Sequence, residues 1–310
     1  MKKGIYLVAN LKSEAFCENL IYSIRNSGCK LPIRLIHFGG EKLVSPYILN
    51  EVEFLTVDDF PKEAIDFINL LRSELECPLG FLYRFLAWFS DWDEFIYSDN
   101  DIVALSNWEH MFDFLPGYDL VNADEEYTTK GCFNHDRPDE IERIFGAGAL
   151  EKAITAGHFA ARRSPKMVAD MTAALHWVKE NRGIAKKHDQ SLMHVALLLG
   201  EWKALNLCKP PHNWLSSWAG DYKNPLALVL SIQAGPVDKK VNISHLHYSG
   251  FSPKGEKATD IFLYSNMDEN SRLTIQTKAG FEKLSGLSFI KFQKQRVERR
   301  IKRMWHERKK

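Results

Sequence analysis

Between Gly4 and Leu105, short apolar runs alternate with amphipathic stretches, and this alternation leaves the chain few architectures. "GIYLVA" (Gly4 to Ala9) reads as a first strand, and Glu14 to Ser27 as a helix closed by Gly28. "IRLIHF" (Ile33 to Phe38) and "EVEFLTV" (Glu51 to Val57) read as two further strands. Helical spacing resumes at Lys62 to Leu75 and at Leu79 to Phe89, and then "EFIYS" forms another strand. Strands separated by helices imply an α/β, Rossmann-like fold with a mainly parallel central sheet flanked by helices. Such sheets take their ligands beyond the carboxyl ends of the strands.

The second half is less regular. "YDLVNAD" (Tyr118 to Asp124) reads as a strand ending in an acid, and Ala153 to Arg162 as an extended segment. Lys166 to Asn181 and Gln190 to Leu199 have helical spacing, "KPPHNW" interrupts the chain at Lys209, and Val241 to Gly250 reads as a late strand. The five cysteines are widely spaced with no Cys-x-x-Cys pair, which suits a reducing compartment and argues against a disulfide framework or a zinc cluster. The first apolar run stops at Asn10 and Lys12, too short for a signal peptide, and no run reaches the roughly 18 apolar residues of a membrane span. A cytoplasmic protein is expected.

Net charge is +1, but from Phe289 to Lys310 ten Lys/Arg stand against two Asp/Glu, leaving 31 basic and 38 acidic residues elsewhere. On a helix over about 288–308, Ile290, Val297, Ile301 and Met304 share one face with Trp305 at its edge, while Lys294, Arg299, Arg300 and Arg303 cover the rest. Such a helix reads as an anchor on an anionic membrane surface, each basic residue contributing roughly 1 kcal/mol. A solvated helix packed on the domain is the competing reading. Nucleic acid is not expected as a partner, because the body is acidic and no basic-aromatic interleaving occurs outside the tail.

The segment that carries chemistry is "FIYSDNDIVAL", Phe95 to Leu105. Asp99 and Asp101 stand one residue apart at the end of an apolar strand. In a poorly hydrated setting, unpaired carboxylates so close would cost several kcal/mol through repulsion and lost hydration. Asp-x-Asp recurs by chance, but here Ile102 and Val103 follow at once, so the pair stands on a rigid scaffold. Hard divalent cations such as Mn²⁺ or Mg²⁺ pair one or two carboxylates with substrate phosphates.

"FIYSDNDIVAL" resembles the Asp-x-Asp strand end of nucleotide-sugar glycosyltransferases of the GT-A fold, and is most similar to glycosyltransferase family 8, whose enzymes retain anomeric configuration. Four other stretches match in order. "FLYRFLAWFSDWDEF" has the Tyr-x-Arg type helix with Tyr83 and Arg84, "ITAGHFAAR" resembles the Asn-Ala-Gly segment, "KHDQSLM" contains the Asp-Gln pair, and "HYSGFSPKG" resembles the late His-x-x-Gly-x-x-Lys turn. The resemblance runs from Lys3 to Lys254 and implies a GT-A catalytic domain over residues 1–255, with residues 256–310 as an extension bearing the basic amphipathic helix. Thr155 replaces the family's Asn, Lys254 lies one residue late, and the Pro-Trp that follows it in the family is missing.

The resemblance implies that Asp99, Asp101 and His247 hold Mn²⁺ (or Mg²⁺), with His245 as a competitor for the third position. Ala9 and Asn10 would contact the nucleobase. Arg84 and Asn100 would belong to the donor site, Arg84 either neutralising the donor or orienting the Asp pair. Thr155, Ala156 and Gly157 would meet the donor sugar, Asp124 and Asp189 would bind its hydroxyls, and Gly250 and Lys254 would meet the diphosphate. Gln190 would lie near the anomeric carbon, where an amide cannot be a general base, which favours retention through a front-face displacement; Glu125 or Glu126 could instead serve as an inverting base. The implied activity is hexosyl transfer from a UDP-sugar of glucose or galactose type to a saccharide or lipid-linked saccharide acceptor, in surface polysaccharide or lipopolysaccharide biosynthesis, at the inner membrane face. Two rivals use the same carboxylates: a phosphatase or phosphotransferase of the haloacid dehalogenase type with Asp99 as nucleophile, and a nucleotidyltransferase.

Overall fold

Six of the seven residues of β1 (Lys3–Ala9) and all five of β4 (Glu94–Ser98) are buried, as expected of strands covered on both faces. The computed structural model describes residues 1–123, 135–222 and 242–249, together with Pro225 and Leu228. In chain order the remaining strands are β2 (Ile33–His37), β3 (Glu53–Leu55), β5 (Ile102–Ala104), β6 (Leu120–Asn122), β7 (His158–Arg162), β8 (Ala204–Asn206) and β9 (His245–His247). The helices that cover them are α1 (Glu14–Asn26), α2 (Pro46–Glu51), α3 (Lys62–Glu74), α4 (Leu79–Leu82), α5 (Pro138–Phe145), α6 (Pro165–Glu180) and α7 (Asp189–Gly200).

Seven strands form one sheet in the order β3-β2-β1-β4-β7-β6-β8, and β5 pairs with β9 in a separate ribbon. The first four strands are mutually parallel and β8 is parallel to β6, so the sheet is mainly parallel. The exception is β7, antiparallel to both β4 and β6. Its reversed direction brings the beginning of β7 to the carboxyl end of β4, with Ser98 opposite His158.

Side chains alternate across β1, sending Tyr6 and Val8 into one core and Ile5, Leu7 and Ala9 into the other. The first core lies under α3, α6 and α7, and the second under α1 through Cys17, Leu20, Ile21 and Ile24. Gly28 closes α1 at φ +85°, a conformation costly for any residue with a Cβ.

Three elements depart from the sequence reading. The third strand is only Glu53–Leu55, followed by a 3₁₀ turn over Val57–Asp59. The expected helix from Leu79 to Phe89 is α-helical for one turn, then 3₁₀ over Tyr83–Phe89; Tyr83 to Trp88 are buried without interruption, so packing on all sides sets its path rather than an amphipathic face. Of the late strand, the described part is His245–His247. The boundary near residue 255, the C-terminal helix, Asp124, Glu125, Glu126, Gly250 and Lys254 lie outside the described residues. Among the described residues, no helix is long and apolar enough to cross a membrane.

Candidate active site

The loop after β4 is fixed at each of its three residues. The Asp99 amide donates to Gly157 O at 2.7 Å, Asn100 Nδ2 donates to Val8 O at the end of β1 at 2.8 Å, and Asp101 O accepts from the Tyr248 amide at 2.9 Å. These bonds tie the turn to β1, β7 and β9, so both carboxylates stand on sheet rather than on free loop. The β5–β9 ribbon sets Ile102 opposite His247, which carries the imidazole back to Asp101: Nε2 is 3.2 Å from Asp101 Oδ1. One donor atom each from Asp99, Asp101 and His247 lie within 4.8 Å of one another. His245, two residues earlier on β9 and opposite Ala104, packs at a tilt of 46° against His158 with ring centroids 4.1 Å apart and stands outside this trio.

Asp99 is held by orienting groups. Its Oδ1 accepts from the Tyr97 hydroxyl at 2.7 Å and lies 3.3 Å from Arg84 Nη2, while Oδ2 is turned toward Gly157. A Cβ at Gly157 would stand 2.5 Å from His247 Cε1 and 3.2 Å from Asp99 Oδ2, so only glycine fits between ligand candidates from two strands. Burial pushes the Asp99 carboxyl above its usual range; the Arg84 cation works against that push and the neighbouring Asp101 adds to it.

Arg84 is buried, which a lone cation could not sustain. It reaches two carboxylates at once, Asp99 through Nη2 and Asp189 Oδ2 through Nε at 3.2 Å, and also donates to Phe81 O at 2.9 Å and to Ala156 O. The planar fork suits such a bridge, because its donors are spread over a rigid frame and point to both partners at once. Asp189, the first residue of α7, has a side chain only 2% exposed. Burial opposes its ionisation, but Arg84 and His188 more than offset that and hold it below the ordinary carboxylate range.

These groups open on a cavity of about 570 Å³. Asp99, Asn100, Asp101, Gly157 and His247 line it, as do Arg84, Asp189, Gln190 and Asn10. Phe38, Phe81 and the Pro78–Gly80 segment complete the wall. Three of the expected contacts change. Ala9 is fully buried in the core beneath the opposite face of β1, because strand alternation gives the cavity wall to Val8 instead. Thr155 and Ala156 are buried and do not line the cavity; the Ala156 carbonyl instead accepts from Arg84.

Residues not singled out in the sequence also belong here. Tyr97 stands two positions before Asp99, a spacing that shares one strand face and could have pointed to it. His188 adjoins the Asp-Gln pair, and Phe81 lies three residues before Arg84.

Residues 2–120, the segment from β1 to the start of β6, match the Mannosyl_trans3 family of mannosyltransferases. No curated protein sequence gives a significant match. Among solved structures, the bifunctional glycosyltransferase WbbM aligns with TM-score 0.56 and 13% identity over 88% of this chain and 51% of its own, so this chain spans about half of WbbM. The galactosyltransferase LgtC, solved with donor and acceptor sugar analogs, aligns with TM-score 0.50 and 12% identity over 90% of this chain and 97% of its own. At such identity the likeness is one of fold, and the fold of the chain is the GT-A fold of these two enzymes.

Proposed function

We propose that the protein transfers a hexosyl group from a UDP-sugar of glucose or galactose type to a hydroxyl of a saccharide or lipid-linked saccharide, as a step in building surface polysaccharide. The observation that carries this reading is the convergence of Asp99, Asp101 and His247 on the wall of one cavity. Two hard carboxylates and an imidazole suit Mn²⁺ or Mg²⁺, and the crowding at Gly157 reserves room around the three ligand atoms. Asp99, Asp101 and His247 would hold that ion, which when bound supplies positive charge opposite a departing diphosphate.

The remaining roles belong to the chain. Asn10 and Val8, at the end of β1, would meet the nucleobase, and Asn100 keeps a buried Oδ1 with no hydrogen-bond partner among the described residues. Gln190 Nε2 is likewise buried without a partner among them. Leaving such a donor unmet costs about 1–3 kcal/mol, and a donor-sugar oxygen would satisfy it. The Gln190 amide cannot take a proton, and we read the reaction as retaining, with the acceptor arriving on the face the diphosphate leaves. Asp124, Gly250 and Lys254 keep their proposed donor-site roles, and the C-terminal helix its proposed role at the inner membrane surface. Loss of liposome flotation on truncation at Gly286 would support that role, and unchanged flotation would remove it.

The family match over residues 2–120 favours a second donor, a mannosyl nucleotide. The GT-A fold speaks for a transferase over a phosphatase with Asp99 as nucleophile. Metal-dependent hydrolysis of UDP-glucose, UDP-galactose and GDP-mannose, tested side by side, separates the donors. Thermal stabilisation by UDP with Mn²⁺, absent with fluoroberyllate, supports the transferase, and the reverse pattern supports the phosphatase. Proton NMR of the product's anomeric linkage tests retention.

A further inference from the structure

Asp189 stands between two bases: its Oδ2 lies 3.2 Å from Arg84 Nε and its Oδ1 2.5 Å from His188 Nδ1, an ion-pair contact. His188 is the extended residue just before α7; its side chain is 43% exposed and lines the cavity, with the Phe81 ring edge-on at 5.9 Å. Two lone pairs 2.5 Å apart would repel, so Nδ1 carries the proton in this contact. Nε2, on the ring's other side, is the nitrogen left to exchange a proton with a substrate.

We propose that His188, oriented by Asp189, is the catalytic residue that takes the proton of the acceptor hydroxyl, a role that rests on the transferase reading above. The division of labour is that of a carboxylate–imidazole pair: the carboxylate fixes the tautomer and balances the imidazolium that forms. Arg84 joins Asp189 to Asp99 and thereby holds the base and the diphosphate end of the site on one rigid frame. The charged groups around the ring are Asp189, Arg84 behind it, and Lys187, which pairs outward with Glu76 at 3.1 Å.

In the step, the acceptor oxygen bonds to the anomeric carbon as its proton passes to His188 Nε2. The bond from the anomeric carbon to the diphosphate oxygen breaks, and its electron pair leaves with the nucleotide. The imidazolium then returns its proton to solvent, so the products are glycoside, nucleoside diphosphate and one proton. Gln190 contributes no proton transfer, and Asp189 acts as a positioning residue.

The test uses the full chain with Mn²⁺, water as acceptor, and UDP-glucose, UDP-galactose and GDP-mannose as donors. Removing a general base costs about 10²- to 10⁴-fold, so His188→Ala should lower nucleotide release at least about 100-fold. Affinity for UDP with Mn²⁺, by calorimetry, should stay within about twofold. Azide has no proton to lose; it should accelerate the variant by at least about tenfold and yield the glycosyl azide. Should His188→Ala fold poorly, His188→Gln carries the same expectations. Release within about threefold of wild type, or no azide acceleration, overturns the role of His188 alone. A wild-type protein that neither binds UDP with Mn²⁺ nor releases nucleotide from any of the three donors overturns the transferase reading, and this inference with it.

Discussion

The Arg84 guanidinium lies 3.3 Å from Asp99 Oδ1, and both groups sit at the junction of β4, β7 and α7. The same cation reaches Asp189, so one buried positive charge serves two carboxylates from distant parts of the chain. Removing it would strand both. Arg84→Met should therefore destabilise the fold by about 3–5 kcal/mol, read from urea unfolding. A loss under about 1 kcal/mol would mean that the bridge contributes little.

Gly157 leaves no room for a side chain between His247 and Asp99. An alanine Cβ would stand 2.5 Å from His247 Cε1, and the imidazole must turn away from Asp101 to admit it. Gly157→Ala should weaken Mn²⁺ binding about 10- to 100-fold, the size of effect seen when ligand orientation is disturbed. Titration calorimetry with Mn²⁺ checks this, and unaltered affinity would dissociate His247 from the metal.

Tyr97 donates to Asp99 Oδ1 at 2.7 Å from a fully buried strand. Hydrogen bonds to charged groups contribute about 1.5–3 kcal/mol, so Tyr97→Phe should lower stability by that order and leave Asp99 harder to ionise. Denaturation at pH 7 measures the first effect. No change would show that the hydroxyl is not bonded there.

A separate pair of imidazoles controls acid stability. His135 Nε2 lies 2.8 Å from His194 Nδ1, and His194 Nε2 lies 2.9 Å from Ala149 O. The carbonyl requires a proton on His194 Nε2, which leaves Nδ1 to accept from His135. Burial, with His194 adjacent, pushes His135 down to about 3, and burial pushes His194 down to about 4. Unfolded, both titrate near 6.5. The unfolded chain therefore binds more protons below pH 6.5, and stability, complete above that value, falls by up to about 1.4 kcal/mol per pH unit for each ring as pH drops toward 4. In His135→Gln, which has no proton to gain, the slope of unfolding free energy between pH 6.5 and 4.5 should fall by one ring's share. An unchanged slope would contradict the pairing.

Much of this architecture is readable from local pattern. The β1–α1–β2 unit announces itself through an apolar run, an amphipathic helix and Gly28, and Asp99 and Asp101 are legible because they follow a strand at once. What is not legible depends on partners far along the chain. The direction of β7 is set by pairing with β4 some sixty residues earlier. Arg84 looks in sequence much like any arginine on a helix, and only the fold shows it bridging residues 99 and 189. Ala9 reads by position as a nucleobase contact, whereas strand alternation turns it away from the cavity and Val8 toward it. Asp189 reads as a sugar ligand, and only the fold shows Arg84 and His188 standing beside its two oxygens.

Calorimetric titration of UDP, with and without Mn²⁺, into wild type, Asp99→Ala and Asp101→Ala tests the cation-held nucleotide site most directly. The expected result is UDP binding that requires Mn²⁺ in wild type and is lost in both variants. UDP binding of equal strength with and without Mn²⁺, retained in both variants, would contradict it.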